Sequence, residues 1–187
     1  MNITVSKTTL SDILIIEPKI HFDNRGFFFE SFNAKSFINS IGASYDFVQD
    51  NHSKSSKGVL RGLHYQSKRP QGKLVRVIYG SIYDVAVDIR EGSHNFGKWF
   101  GLELSADNKK QLWIPPGFAH GFLVLSESAE VLYKTTDYYM PEYERTIIWN
   151  DKDIGINWPK TGINPIISDK DKNGFLLKSA ELPEFKK

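Results

Sequence analysis

The sequence contains no cysteine in 187 residues, which excludes both a disulfide scaffold and a thiolate metal site. It also lacks any run of 18 apolar residues, the length from which a membrane-crossing helix is read. The opening stretch, MNITVSKTTLSDILIIEPKI, has no apolar block after a basic start. It does not read as a secretory signal, so the expected location is the cytoplasm. An excess of one charge is missing too, since 24 basic and 22 acidic residues are scattered along the chain for a net charge of +2. That balance argues against a dedicated nucleic-acid or membrane surface, while leaving room for a small anionic ligand. With no low-complexity segment, linker or internal repeat, residues 1–187 read as one domain.

Aromatic residues are plentiful: 13 Phe, 8 Tyr and 4 Trp, as a β-rich protein with a pocket to line would use. Short alternating segments bounded by Gly, Pro, Asn and Ser recur, the pattern of a sandwich or barrel. Strands are expected at Ile13–Ile16, Phe27–Phe32, Lys98–Leu104, Gln111–Ile114, Gly121–Leu125 and Glu130–Asp137, and GVLRGLHYQ at 58–66 reads as another. The clearest pair is LVRVIYGSIYDVAVDIR at 74–90, where Gly80-Ser81 suits a tight hairpin turn. Its second strand places Val85, Val87 and Ile89 on one face and Asp84, Ala86 and Asp88 on the other. One helix is expected, with Asn33 as cap, Phe37, Ile38 and Ile41 as an apolar stripe, and Gly42 as terminator. After Trp149, loops and short helical turns are expected.

His64 interrupts an apolar strand and admits three readings: a satisfied core histidine, a metal ligand, or a base. A second histidine sharpens the choice. In WIPPGFAHGFLVL, Pro115, Gly117 and His120 form P-x-G-x-x-H between two strand-like runs, which resembles the second motif of the cupin superfamily. Metal-binding cupins carry a further histidine two residues after the first, where this chain has Gln66 in His64-Tyr65-Gln66. Two histidines without cysteine make a poor zinc or iron site, so no metal is expected. His21, His52 and His94 sit in polar surroundings and read as solvated. A neutral imidazole, with an ordinary pKa of ~6.5, can take a carbon-bound proton and return it. Such a base needs an orienting carboxylate, an electrophile and a proton donor. Sequence order does not select these from the acids and tyrosines available.

Read in order, DNRGFFFESF, FVQDNHS, GVLRGLHYQ, GKLVRV, DVAVDIR, QLWIPPGFAHGF, YKTTDYYMPEYER and IISDKD resemble the motifs of one cupin family, the dTDP-4-dehydrorhamnose 3,5-epimerases. The resemblance implies a mainly all-β cupin jelly roll with a few short helices. It also implies epimerisation at C3 and C5 of dTDP-4-dehydro-6-deoxy-D-glucose, in dTDP-L-rhamnose biosynthesis, without a cofactor. His64 matches the family's general base, Asp171 the carboxylate that orients it, and Tyr133 the acid on the opposite face. Lys73 matches a cation near the C4 oxygen. Arg25 and Arg61 match contacts to the anionic nucleotide, and Tyr139 matches the residue that stacks on thymine. Glu30, Gln49, Asp50, Asn51, His120, Glu144 and Lys170 match further ligand contacts, and Asp84 is placed in the pocket from its strand face. The family further implies a homodimer whose N-terminal strands reach the partner's site.

Positions 61 and 64 fall on opposite faces of a regular strand. If Arg61 and His64 share a site, a bulge or twist near Gly62 is expected. Two competing functions stay open at this level. One is an epimerase that inverts C3 only, and the other a non-catalytic cupin that binds a nucleotide sugar. A metal-dependent cupin oxygenase is disfavoured by Gln66.

Overall fold

The computed structural model describes residues 3–183. The chain opens with two antiparallel strands, β1 (Ile3–Lys7) and β2 (Leu14–Pro18), then a small hairpin of β3 (His21–Asp23) and β4 (Gly26–Phe28). Helix α1 (Ala34–Ile41) follows. Asn33 accepts a hydrogen bond from Ser36 N at 3.0 Å, and Gly42, with φ of 72°, ends the helix in the left-handed region. Phe37 is buried, and with Ile16, Leu74 and Trp113 it seals the helix onto the sheet beneath.

Three strands come next: β5 (Gln49–Ser56), β6 (Leu60–Gln66) and β7 (Lys73–Tyr79). They are followed by β8 (Ser81–Asp88), β9 (Trp99–Ser105) and β10 (Gln111–Ile114). The strands end with β11 (Phe118–Val124), β12 (Ser128–Thr135) and β13 (Glu144–Thr146), and α2 (Asp169–Lys172) is a single turn near the end. Two antiparallel sheets result, a six-stranded one in the order β1-β2-β10-β7-β12-β5 and a five-stranded one in the order β13-β6-β11-β8-β9. This is the cupin jelly roll. Among the described residues, no helix is long and apolar enough to cross a membrane.

The expected hairpin at Gly80-Ser81 does not form. Strand β7 pairs with β10 and β12, whereas β8 pairs with β9 and β11 in the other sheet. Gly80 has φ of 71°, and a Cβ there would lie 2.1 Å from the carbonyl oxygen of Ser128. It turns the chain from one sheet into the other at a point where a neighbouring loop leaves no room for a side chain. The expected strand at Phe27–Phe32 is likewise reduced to the three residues of β4.

Between the sheets, the inward faces carry Val75 and Val77 of β7, Ile82 and Ala86 of β8, Phe118, Phe122 and Val124 of β11, and Val131 of β12, all buried. Each of the Val, Ile and Phe side chains among them contributes about 1.5–3 kcal/mol when fully buried. The alternation that aims them inward also aims Lys73, Asp84, His120 and Tyr133 inward, because each lies two residues from a core position on its own strand. At those positions the fold forgoes apolar burial, and a polar cavity takes its place. The outer face of the five-stranded sheet, with Val85, Val87 and Ile89, is covered by Ile147, Ile154 and Leu177 from the C-terminal third.

Candidate active site

The cavity has a volume of about 350 Å³ and opens between the two sheets. Its geometry begins with an irregularity in β6. On β11, His120 faces His64 and Phe122 faces Arg61, so Gly62 and Leu63 together oppose the single residue Gly121. This bulge puts Arg61 and His64 on the same side of the strand, both lining the cavity, and is the irregularity expected near Gly62. Gly62 has φ of 122°, and a Cβ there would meet Gly121 Cα at 2.5 Å and the His120 carbonyl oxygen at 2.8 Å. Only glycine fits this position.

His64 is hydrogen-bonded through Nε2 to Asp171 Oδ1 at 2.6 Å, and Gly62 N donates to Asp171 Oδ2 at 3.2 Å. Asp171 is 2% exposed. Its burial raises the carboxyl pKa, but the hydrogen bond and charge of His64, the Gly62 amide and Lys170 outweigh that and hold it below the usual value. The carboxylate therefore stays ionised and fixes the orientation of the ring. Parallel bridges Val59–Ile166 and Ile147–Phe175 tie the segments on either side of α2 to the sheet, which keeps Asp171 in place.

In the opposite wall, Lys73 is 6% exposed, and burial pulls its ammonium down to about 8, with Asp84 and Glu144 drawing it back up. His120 Nε2 lies 2.7 Å from Asp84 Oδ1, a buried pair beside His64. Tyr133 projects from β12 of the six-stranded sheet, facing His64 on the five-stranded sheet. Burial raises its hydroxyl pKa, partly offset by Arg61, so it stays protonated at neutral pH. Glu144 accepts from Lys170 Nζ at 2.8 Å and from the Tyr139 hydroxyl at 2.9 Å. Those bonds outweigh its burial and leave its carboxyl below the usual range.

His64, Lys73, Tyr133, Gln49, Asn51, Arg61, His120, Tyr139 and Glu144 all line the cavity. Asp171 stands behind His64, and Lys170 behind Glu144. Other expected residues do not join them. Asp50 lies on the outer face of β5, bonded to Lys134 at 2.9 Å, because β5 pairs with β12 without a bulge and its side chains alternate strictly. Glu30 accepts from the Asn33 side chain at 3.2 Å ahead of α1. Arg25 sits on the exposed β3–β4 hairpin, bonded to Asp23. Neither lines this chain's cavity.

Ser53, Gln66, Gln71 and Phe122 also line it and were not expected as site residues. Ser53 was available from its spacing, two residues beyond Asn51. Gln66 lies two beyond His64 on one strand. Among the described residues, no group of three or more His, Asp or Glu is placed to hold a metal ion.

The model of the family dTDP-4-dehydrorhamnose 3,5-epimerase matches residues 7–179. The dTDP-4-dehydrorhamnose 3,5-epimerase of Shigella flexneri is 60% identical over 171 residues, covering 91% of this chain and 93% of that protein. The Pseudomonas aeruginosa enzyme of the same name is 53% identical, covering 94% and 97%. A crystal structure of dTDP-6-deoxy-D-glucose-3,5-epimerase from Legionella pneumophila, in complex with dTDP-4-keto-L-rhamnose, superposes with a TM-score of 0.96. It is 51% identical and covers 99% of this chain and 100% of its own. A sugar-epimerase fold, a histidine–aspartate pair inside it and this degree of identity agree: the chain belongs to the dTDP-4-dehydrorhamnose 3,5-epimerase family.

Proposed function

We propose that this protein converts dTDP-4-dehydro-6-deoxy-D-glucose to dTDP-4-dehydro-β-L-rhamnose by inverting C3 and C5. The observation that carries the reading is the His64–Asp171 pair on one sheet of the cavity with Tyr133 on the other. Both carbons flank the C4 ketone. His64 takes the proton from one of them, and the electron pair moves into an enolate with its charge on the C4 oxygen. Lys73 stabilises that charge, and the removal of one such donor typically costs ~2.7–4 kcal/mol of barrier lowering. Tyr133 then gives a proton to the opposite face of the same carbon, which inverts it. A single group would return the proton to the face it left. The reaction is redox-neutral, and the reading requires no cofactor.

Arg61 is assigned to the diphosphate, since a guanidinium can hold phosphate through two parallel bonds. Tyr139 is assigned to the thymine ring, with Glu144 and Lys170 beside it. In this reading the whole chain acts as one domain, in the cytoplasm and as a homodimer. The β3–β4 hairpin carries Arg25 toward the neighbouring copy's cavity. Phe22, Phe27 and Phe28, between 58% and 71% exposed on that hairpin, support a covering surface of this kind. The scattered charge supports a small anionic substrate rather than a nucleic acid or a membrane.

Proton NMR of the substrate with the protein in D₂O tests the reading. Deuterium at both C3 and C5 is expected. Deuterium at C3 alone would make it a single-site epimerase, and none at either carbon would leave only a binding protein.

A further inference from the structure

Gln66 is 3% exposed and lines the cavity two residues beyond His64, yet its amide is committed to the loop that carries Tyr139. Its Oε1 accepts from Met140 N at 2.8 Å, and its Nε2 donates to the Tyr138 carbonyl at 3.3 Å and the Arg69 carbonyl at 2.8 Å. Both amide hydrogens are thereby used. The side chain pairs with residues 138 and 140 much as a neighbouring strand would, although no strand is there.

Two other glutamines complete the arrangement. Gln49 Oε1 accepts from Tyr139 N at 3.0 Å, and Gln71 Nε2 donates to the Asp137 carbonyl at 2.9 Å. Four consecutive residues, 137 to 140, thus take main-chain partners from three glutamine side chains. Gln49 comes from the six-stranded sheet and Gln66 from the five-stranded sheet, so the loop bridges both walls at the cavity mouth. The loop lies outside both sheets' ladders; Arg69 and Thr135 anchor it at Asp137, and beyond Asp137 the glutamine amides supply the side-chain partners of the Tyr138 carbonyl and of the Tyr139 and Met140 N–H groups.

We propose that Gln66 is a positioning residue that sets nucleotide affinity by holding the Tyr139 loop over the cavity, without touching the reacting carbons. The proposal rests on the reading that Tyr139 stacks on the thymine. Removing the amide deprives the partly buried Met140 N–H and the carbonyls of Tyr138 and Arg69 of their partner, which loosens the loop over the cavity.

Calorimetric titration with dTDP, together with steady-state kinetics, tests it in four proteins: wild type, Gln66→Ala, Tyr139→Ala and the double variant. Gln66→Ala is expected to weaken dTDP about tenfold or more, from two lost bonds. The KM for the dTDP sugar should rise by the same factor, with kcat within about threefold of wild type. In the Tyr139→Ala background, Gln66→Ala should change dTDP affinity by less than about twofold, since its effect runs through that ring. Equal losses in both backgrounds, or a fall in kcat at unchanged KM, would overturn the positioning role. Loss in Tyr139→Ala with none in Gln66→Ala would sink the positioning role alone, whereas unchanged affinity in Tyr139→Ala would sink the stacking assignment itself. If Gln66→Ala does not fold, Gln71→Ala removes one bond to the same loop. It is expected to give a smaller rise in KM that also vanishes without Tyr139, and a rise that persists there would count against the proposal.

Discussion

His64 and Asp171 are 107 residues apart in sequence and 2.6 Å apart in space. The carboxylate that fixes the ring also accepts the Gly62 amide, so one buried side chain holds the imidazole and the backbone bulge beside it.

Asp171→Asn is therefore expected to leave the fold intact and lower kcat by at least about a hundredfold, the lower range for loss of a general acid–base arrangement. The amide keeps a hydrogen bond but cannot stabilise an imidazolium. Near-wild-type kcat in this variant would remove Asp171 from the mechanism.

Tyr133→Phe separates the two proton transfers. Overall turnover should fall by roughly 10²–10⁴-fold, while His64 continues to exchange substrate protons for deuterium. The check is NMR in D₂O, comparing label incorporation with product formation. If incorporation and product fall together, Tyr133 is not confined to the second transfer, and the division of roles is wrong.

For Lys73 the pH dependence has a defined sign. Its ammonium loses a proton at about 8 in the free protein. Above that pH Lys73 loses its charge, so kcat/KM should show an alkaline limb there. Tyr133 is pushed upward and stays protonated through this range. Lys73→Met should abolish the limb and lower kcat about 10²–10³-fold. Stability moves oppositely: between about 8 and the ordinary 10.5, the unfolded chain binds more protons at this site. The folded state therefore gains stability as pH rises through that window. Urea titrations across it measure the effect, and a flat profile would contradict the burial of a charged amine.

Gly62→Ala tests the bulge. With positive φ and backbone atoms at 2.5 and 2.8 Å from the added carbon, the neighbours that must give way are main chain. A loss of roughly 2–4 kcal/mol is expected, read as a lowered urea midpoint at unchanged slope. Activity should fall further than stability, because Arg61 and His64 lose their common orientation. A fully active, fully stable variant would show that the bulge is dispensable.

Much of the fold was legible because its signals are local. The caps of α1, the alternation of β8 and the strand–turn–strand around Gly117 and His120 each depend on residues a few positions apart. The irregularity near Gly62 was legible for another reason, since two residues of opposite parity had to share a site. Strand β5 gave no such signal. QDNHSKSS has no apolar residue: its inner face lines the cavity and its outer face is polar.

The sequence by itself determined most of the segments that extend, where the helix begins and ends, and through its ordered motifs which chemistry to look for. Only the tertiary structure decided that β7 and β8 part company at Gly80, that Asp50 faces away from the cavity and Arg25 stands outside it. It likewise decided that Asp171 rather than another acid reaches His64, and Asp84 reaches His120. The physical reason is that periodicity and capping act over one or two turns of chain. Strand pairing and the burial of a charge are settled by contacts between distant segments, which no local pattern encodes.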